Sequence, residues 1–277
     1  MQITVIPNGK TPDAAVLAAA VCQRLRQMGA SVQVERQEDG LPSAARIAGA
    51  LADSDLAVAI GGDGTIMHVA KAAALADRPV LGINGGHLGF LAGLERDGLD
   101  ALPRLLTGEY TTERRLLLEI TVERGARRQV YYAMNEAVIS RGALSRLVDV
   151  TVTDGRWDVL SCRGDGVILA TPTGSTAYSL SAGGPVVDPA VECLLLTPVC
   201  PHTVAPHSQI LPADARLTVQ VASEEAFVTV DGEENAAFSP EDRIEIRRAE
   251  RPARLIRLTD VTFYQELQKK IIGRGIV

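Results

Sequence analysis

The chain has 277 residues, 46% hydrophobic and 22% charged, the make-up of a globular protein with room for one large domain or two ordinary ones. A formal net charge of -6 argues against a general nucleic-acid or membrane-surface binder, so an anionic ligand must be met by local arginines and backbone amides. No apolar stretch is long enough for a membrane span. The four cysteines (Cys22, Cys162, Cys193, Cys200) form no C-x-x-C pair, which reads as reduced thiols in a cytoplasmic protein.

The N-terminus lacks the basic region and cleavage site of a signal peptide and reads as a strand over Ile3–Ile6. Pro12–Met28 has apolar residues at helical spacing, with Gly29 to end the helix. Ser31–Val34 is a strand, and Ser43–Leu51 a helix with Ser43 as N-cap. Leu56–Ile60 is a buried strand, Ile66–Leu75 a helix and Pro79–Ile83 the next strand. Strand and helix in alternation imply a parallel, doubly wound sheet that binds ligands beyond the carboxyl ends of its strands. From Thr111 short β-rich runs take over: Leu116–Val122, Gln129–Met134, Ala137–Ser140, Val148–Thr153, Trp157–Cys162, Val167–Ala170, Leu217–Val221, Ala226–Val230, Ile244–Ile246 and Leu255–Leu258. Asp154-Gly155 reads as a two-residue hairpin turn. The expected organisation is an α/β domain over 1–112 and a mostly β, sandwich-like domain over 113–261. The tail, 262–277, is helical again through Phe263, Leu267 and Ile271 and is expected to pack back on the first domain.

Several familiar motifs fail. Gly9-Lys10-Thr11 would close a P-loop only if Thr4 were glycine, and Ser181 would centre G-x-S-x-G only if Ser179 were glycine. His68, His87, His202 and His207 form no H-E-x-x-H, and His68 is better read as a packed histidine than as a ligand.

Two glycine-rich blocks carry the chemistry. Gly61-Gly62-Asp63-Gly64-Thr65 joins a strand end to a helix start, where free amides suit a phosphate and glycines allow positive φ and close approach. Asp63 would repel that phosphate, so it needs a reason to be there: a base for an attacking hydroxyl, a metal ligand, or a plain helix N-cap. The run Gly164 to Pro185 adds a second Gly-Asp-Gly, a proline turn, small hydroxyl residues, Tyr178 and a Gly-Gly-Pro exit. Small residues let a flat ring approach the backbone, and the hydroxyls and amides can bond its edge. Asn135-Glu136 would suit a ribose diol or an adenine amino group, although alone it reads as a polar loop pair.

Gly61–Thr65, Asn135-Glu136, Gly164–Pro185 and Val230-Asp231-Gly232 resemble, in order, the four signature blocks of NAD kinases. Asn84–Leu91 resembles that family's loop after its fourth strand. The likeness spans nearly the whole chain. The first block alone is shared with diacylglycerol and sphingoid kinases and in part with phosphofructokinases. Ile66-Met67-His68 departs from the leucine-rich or small residues expected after that block. The resemblance implies transfer of the terminal phosphoryl group of ATP, or of polyphosphate, to the 2′-hydroxyl of the adenosine ribose of NAD. It also implies a divalent metal, usually Mg²⁺, whose ligands the sequence leaves unassigned, and a homodimer or homotetramer, with NAD and ATP as partners and no nucleic acid or membrane.

By position, the resemblance makes Asp63 the catalytic carboxylate. Gly62, Gly64 and Thr65 would line the phosphate side, and Phe90 would pack against the nucleotide. Asn135 and Glu136 would hold the adenosine, and Asp165 the nicotinamide-side nucleoside. Thr173, Thr176, Ala177, Tyr178 and Ser181 would shape the NAD groove, with Arg163 a further phosphate partner. The rivals are a lipid or sphingoid-type kinase on the same turn and a non-catalytic NAD sensor.

Overall fold

The computed structural model describes the chain except residues 39, 86–88, 143–146, 203–206, 223–225 and 273–277, together with the side chains of 234–236, 238, 271 and 272. Two compact units make up the fold, Met1–Arg114 with Arg251–Val277, and Arg115–Glu250.

The first unit begins β1 (Gln2–Pro7), α1 (Pro12–Gln27), β2 (Ser31–Val34), α2 (Ala44–Ala50), β3 (Leu56–Gly61), α3 (Asp63–Leu75), β4 (Val80–Asn84), β5 (Leu94–Glu95), α4 (Leu102–Thr107) and β6 (Thr111–Arg115). β2, β1, β3 and β4 lie side by side in parallel, with β5 also on β4, as the alternation predicts. β3 and β4 are buried at every position because helices cover a parallel sheet on both faces. α1 turns Ala14, Leu17, Ala18, Val21, Cys22 and Leu25 inward, starts on a proline and is followed by Gly29 at φ +87°. The Ser43 hydroxyl caps α2 by accepting the Arg46 N–H. α3 lies close on β4, since a Cβ on Gly82 would stand 2.7 Å from Ile66 Cδ1.

The second unit holds β7 (Leu118–Arg124), β8 (Arg127–Ala133), β9 (Glu136–Arg141), β10 (Val148–Thr153), β11 (Asp158–Gly164), β12 (Gly166–Ala170), the short helix α5 (Tyr178–Ser181), β13 (Cys193–Val199), β14 (Gln209–Pro212), β15 (Arg216–Val221), β16 (Ala226–Val230), β17 (Glu233–Phe238) and β18 (Arg243–Arg248). Two antiparallel sheets result, ordered β11-β10-β15-β18-β7-β8 and β14-β13-β12-β9-β16-β17. Their inner faces share one core, with Ile120, Val150, Val219 and Ile246 from the first and Ile139, Leu169, Leu196 and Val228 from the second. The other face of the second sheet carries a smaller cluster that includes Val138, Ile168, Leu195 and Val187, so its strands are buried on both sides.

The Asp154 turn is longer than the two-residue hairpin expected. Residues 154–157 form the loop, the Asp154 carboxylate accepts the Arg156 and Trp157 N–H groups at 2.8 Å, and the register shifts after Val152. β13 was not expected at all. Pro198 argues against a central strand, yet it sits near the strand end, opposite Val167.

The chain then returns to the first unit through β19 (Ala253–Arg257) and α6 (Phe263–Leu267), with residues 268–272 continuing as a wider helical turn. The run Leu255–Leu258, expected in the β-rich domain, instead lies between β4 and β6, with Leu255 opposite Val80 and Ile256 opposite Leu81. Both residues are fully buried, as a central strand requires. An apolar run shows that it needs a sheet without showing which.

Candidate active site

Of the roles open to Asp63 in the G-G-D-G-T turn, the helix N-cap is excluded. Gly62 is the N-cap of α3 and Asp63 its first residue, so Asp63 does not cap its own helix. The Asp63 carboxylate instead accepts the Phe90 N–H at 2.8 Å and the Leu91 N–H at 3.1 Å, tying it to the loop after β4. Gly89 belongs to this clamp, because a Cβ there would collide with the carboxylate. Gly61 is small for another reason: its Cβ would stand 2.5 Å from Thr65 Oγ1. Thr65 is buried, and its hydroxyl accepts the Asn8 Nδ2–H at 3.0 Å. Gly62 and Gly64 have no such internal reason, since a Cβ on either would meet nothing within 4 Å. The Asp63 side chain remains 38% exposed, open enough to meet a substrate.

Two groups beside Asp63 gave no sequence signal. Lys270, from the C-terminal segment, lies 3.6 Å from Asp63 Oδ2 and 3.7 Å from the centre of the Phe90 ring. Burial pulls its pKa down, against the pull of Asp63, Glu266 and Glu95. Glu95 accepts the Asn84 Nδ2–H at 3.1 Å, and its pKa is raised, chiefly by burial. Phe90 also faces Phe263, ring centres 6.4 Å apart. Residues 86–88 of the expected Asn84–Leu91 block, with His87, lie outside the described residues. His68 packs as expected, its ring against the Pro42 carbonyl at 2.8 Å.

In the second unit the loop before β9 is pinned from two sides. The Asp231 carboxylate accepts the N–H groups of Met134, Asn135 and Glu136 at 2.9, 2.8 and 3.2 Å. Asp231 does this from the left-handed region (φ +50°), followed by Gly232 at φ +81°, which explains the Val-Asp-Gly block. From the other side, Thr171 donates its N–H to the Asn135 carbonyl and its hydroxyl to the Met134 carbonyl, at 2.8 and 2.6 Å. A side chain on Gly174 would run into the same Asn135 carbonyl.

Glu136 is thus held in place and almost fully buried, and among the described residues its Oε2 has no hydrogen-bond partner. Burial, reinforced by the nearby Asp231 charge and eased by the Tyr178 backbone amide, pushes its pKa up to about 7. An orphaned buried acceptor is unusual and suits a hydroxyl donor from a ligand.

Further along the same face, Val138, Ser140, Arg141, Gly142, Asp165, Tyr178 and Val199 line a cavity of about 240 Å³. Arg141 Nε donates to Asp165 at 2.6 Å, and that guanidinium holds the Asp165 carboxyl below the usual range. Thr173 is buried and accepts from Arg115 at 3.4 Å, Thr176 and Ala177 are half-buried, and Tyr178 and Ser181 are exposed. Arg163 projects from the exposed side of β11, 3.9 Å from Asp149, and does not line the cavity. Asp165 and Tyr178 are therefore brought together, Asn135 and Glu136 share one pinned loop, and Arg163 stands apart. Asp231 and Arg141 were given no role by sequence reasoning. The Val-Asp-Gly block could have pointed to the first; nothing local points to the second.

Among the described residues no three His, Cys, Asp or Glu side chains are grouped so that they could hold a metal ion. No described helix is long and apolar enough to cross a membrane.

An α/β unit with a carboxylate clamped at a strand-to-helix turn and a β unit with a recessed acidic site are the parts of a nucleotide phosphotransferase. Comparison with known proteins narrows that class. Residues 7–110 match the model of the ATP-NAD kinase N-terminal domain, and residues 134–258 that of its C-terminal domain. An NAD kinase of Symbiobacterium thermophilum is 43% identical over 280 residues, covering 98% of this chain and 99% of the relative. One from Moorella thermoacetica is 42% identical over 221 residues, 79% of this chain and 71% of the relative. Among solved structures, an Archaeoglobus fulgidus NAD kinase in complex with ATP superposes with a TM-score of 0.76 at 26% identity, covering both chains fully. A yeast NADH kinase complexed with NADH superposes at 0.85 and 23% identity, covering all of this chain and 89% of its own, which speaks for the fold. The chain belongs to the NAD kinase family.

Proposed function

We propose that this protein transfers the terminal phosphoryl group of ATP to the 2′-hydroxyl of the adenosine ribose of NAD, forming NADP and ADP. The observation that carries the reading is the Asp63 carboxylate. Two backbone amides orient it, the glycines before and after it leave their backbone uncrowded, and its side chain is open to a hydroxyl. Asp63 takes the proton as the 2′-oxygen attacks the terminal phosphorus, and ADP leaves with the electron pair of the broken P–O bond. A loose transition state asks mainly for positioning and charge neutralisation, with a base worth roughly 10²–10⁴-fold.

Glu136, through its orphaned oxygen, accepts a ribose hydroxyl, with Asn135 beside it. Asp165, Tyr178, Thr173, Thr176, Ala177 and Ser181 form the rest of the NAD groove, and Phe90 packs against the nucleotide. Gly62, Gly64 and Thr65 form the phosphate side; with the Thr65 hydroxyl engaged by Asn8, the two glycine amides would carry most of that contact. Mg²⁺ would arrive on the donor phosphates, consistent with its preference for phosphate oxygens and water. Polyphosphate is a second candidate donor, a homodimer or homotetramer the expected assembly, and the cytoplasm the expected compartment.

The test is purified protein with Mg²⁺, ATP or polyphosphate, and NAD, read as 2′-phosphorylated product. Asp63→Asn is expected to bind NAD as the unaltered chain does while turnover falls by roughly 10²–10⁴-fold. Near-normal turnover would remove Asp63 from the chemistry.

A further inference from the structure

Lys270 reaches Asp63 from the opposite end of the chain. Its ammonium lies 3.6 Å from Asp63 Oδ2 and 3.7 Å from the centre of the Phe90 ring, and its side chain is only 14% exposed. The segment that delivers it is anchored upstream. Thr262 and Gln265 form a capping box at the start of α6, Glu266 meets Arg257 at 3.3 Å, and Phe263 faces Phe90. The lysine is therefore placed by several contacts and does not simply trail from a terminus.

The neighbouring cation is already committed. Arg257 donates to the Phe90 and Ala92 carbonyls and pairs with Glu113 and Glu266. Lys270 has three N–H donors and, among the described residues, makes only an ion-pair contact with Asp63 and a ring contact at this site. Asp63, Glu266 and Glu95 all act on the buried ammonium, yet its desolvation outweighs their pull, so packing alone would be served better by an apolar side chain. An anionic donor phosphate approaching Asp63 would be repelled by it, and a cation at this position removes that repulsion.

We propose that Lys270 is a catalytic residue that contacts the terminal phosphoryl group of the donor as it passes to the hydroxyl deprotonated by Asp63, a role that rests on Asp63 being the base. The O2′–P bond forms, the P–O bond to the departing ADP breaks with its electron pair on ADP, and the hydroxyl proton goes to Asp63. Lys270 remains protonated throughout and stabilises the charge on the phosphoryl oxygens.

Three variants test this. Lys270→Met keeps the aliphatic stem over Phe90 and removes the charge, Lys270→Gln is a second neutral variant should methionine misfold, and Lys270→Arg keeps the charge. Loss of one preorganised donor to a transition state typically costs roughly 10²–10³-fold in kcat. The neutral variants are expected to lose about that much kcat, with KM for NAD changed by less than about threefold and a melting temperature no lower than that of the unaltered protein. Lys270→Arg is expected to recover at least about a tenth of the rate. A neutral variant that turns over at or above the unaltered rate, or an arginine variant no better than the neutral ones, overturns the proposal. Absence of NADP from the unaltered chain would instead overturn the kinase reading, and Lys270 with it, before any variant is made.

Discussion

At the scale of single residues, Glu136 is the side chain whose placement works against the fold. Its pKa is raised from 4.5 to about 7 by burial and by the Asp231 charge. Between those values the folded chain holds a proton that the unfolded chain has released, so stability falls as pH rises through this window. The shift corresponds to at most about 3 kcal/mol at pH 8 and almost nothing at pH 4. Glu136→Gln is therefore expected to melt several degrees higher than the unaltered protein at pH 8 and at nearly the same temperature at pH 4. Thermal scans at the two pH values check this, and an equal gain at both would mean that charge is not the cause. The same variant should bind NAD more weakly if Oε2 takes a ribose hydroxyl. The Asn-Glu dipeptide was visible in the sequence, but its burial was not, because desolvation depends on what is packed above it.

At the scale of elements, two loops matter, and each is fixed by a residue distant in sequence. The loop after β4 is held to α3 by Asp63, and the loop before β9 to the β16–β17 turn by Asp231. Asp231 serves three backbone donors from a left-handed conformation that aspartate and asparagine tolerate better than most residues. Asp231→Ala leaves those donors without their acceptor and is expected to destabilise the protein by about 2–4 kcal/mol and to raise KM for NAD. Asp231→Asn, which keeps one acceptor oxygen, should cost less. Urea melts of both variants with NAD saturation curves would show it, and equal stability of Asp231→Ala and the unaltered chain would contradict it. The glycines were legible as a pattern, but their reasons differ: Gly61 makes room for Thr65, Gly89 for Asp63 and Gly174 for Asn135, while Gly62 and Gly64 make room for nothing in the protein.

At the scale of the whole molecule, the first sheet depends on both ends of the chain. β19 lies between β4 and β6, so residues 1–114 alone would leave the Val80–Leu81 edge of β4 unpaired and β6 without its neighbour. The second unit is continuous in sequence and has its own core. A fragment of residues 115–250 is expected to fold alone with β-type circular dichroism and a cooperative melt, whereas residues 1–114 are expected to aggregate or remain partly unfolded. A well-folded 1–114 fragment would show that β19 only seals the sheet.

The local information in the sequence sufficed for the alternating strands and helices of the first unit, the change to β structure near Thr111 and the two glycine-rich blocks, because periodicity and glycine placement are properties of short segments. It also marked Asp63 as the candidate base, through its neighbours in sequence. Long-range pairing decided the rest. β19 joined the first sheet rather than the second, β13 formed despite its proline, and Asp154 opened a longer turn. Lys270 came to lie against Asp63, Asp231 under the Asn135 loop and Arg141 against Asp165, contacts between residues far apart in the chain. Such contacts depend on which surfaces meet when apolar faces are buried, and no short window of residues carries that information.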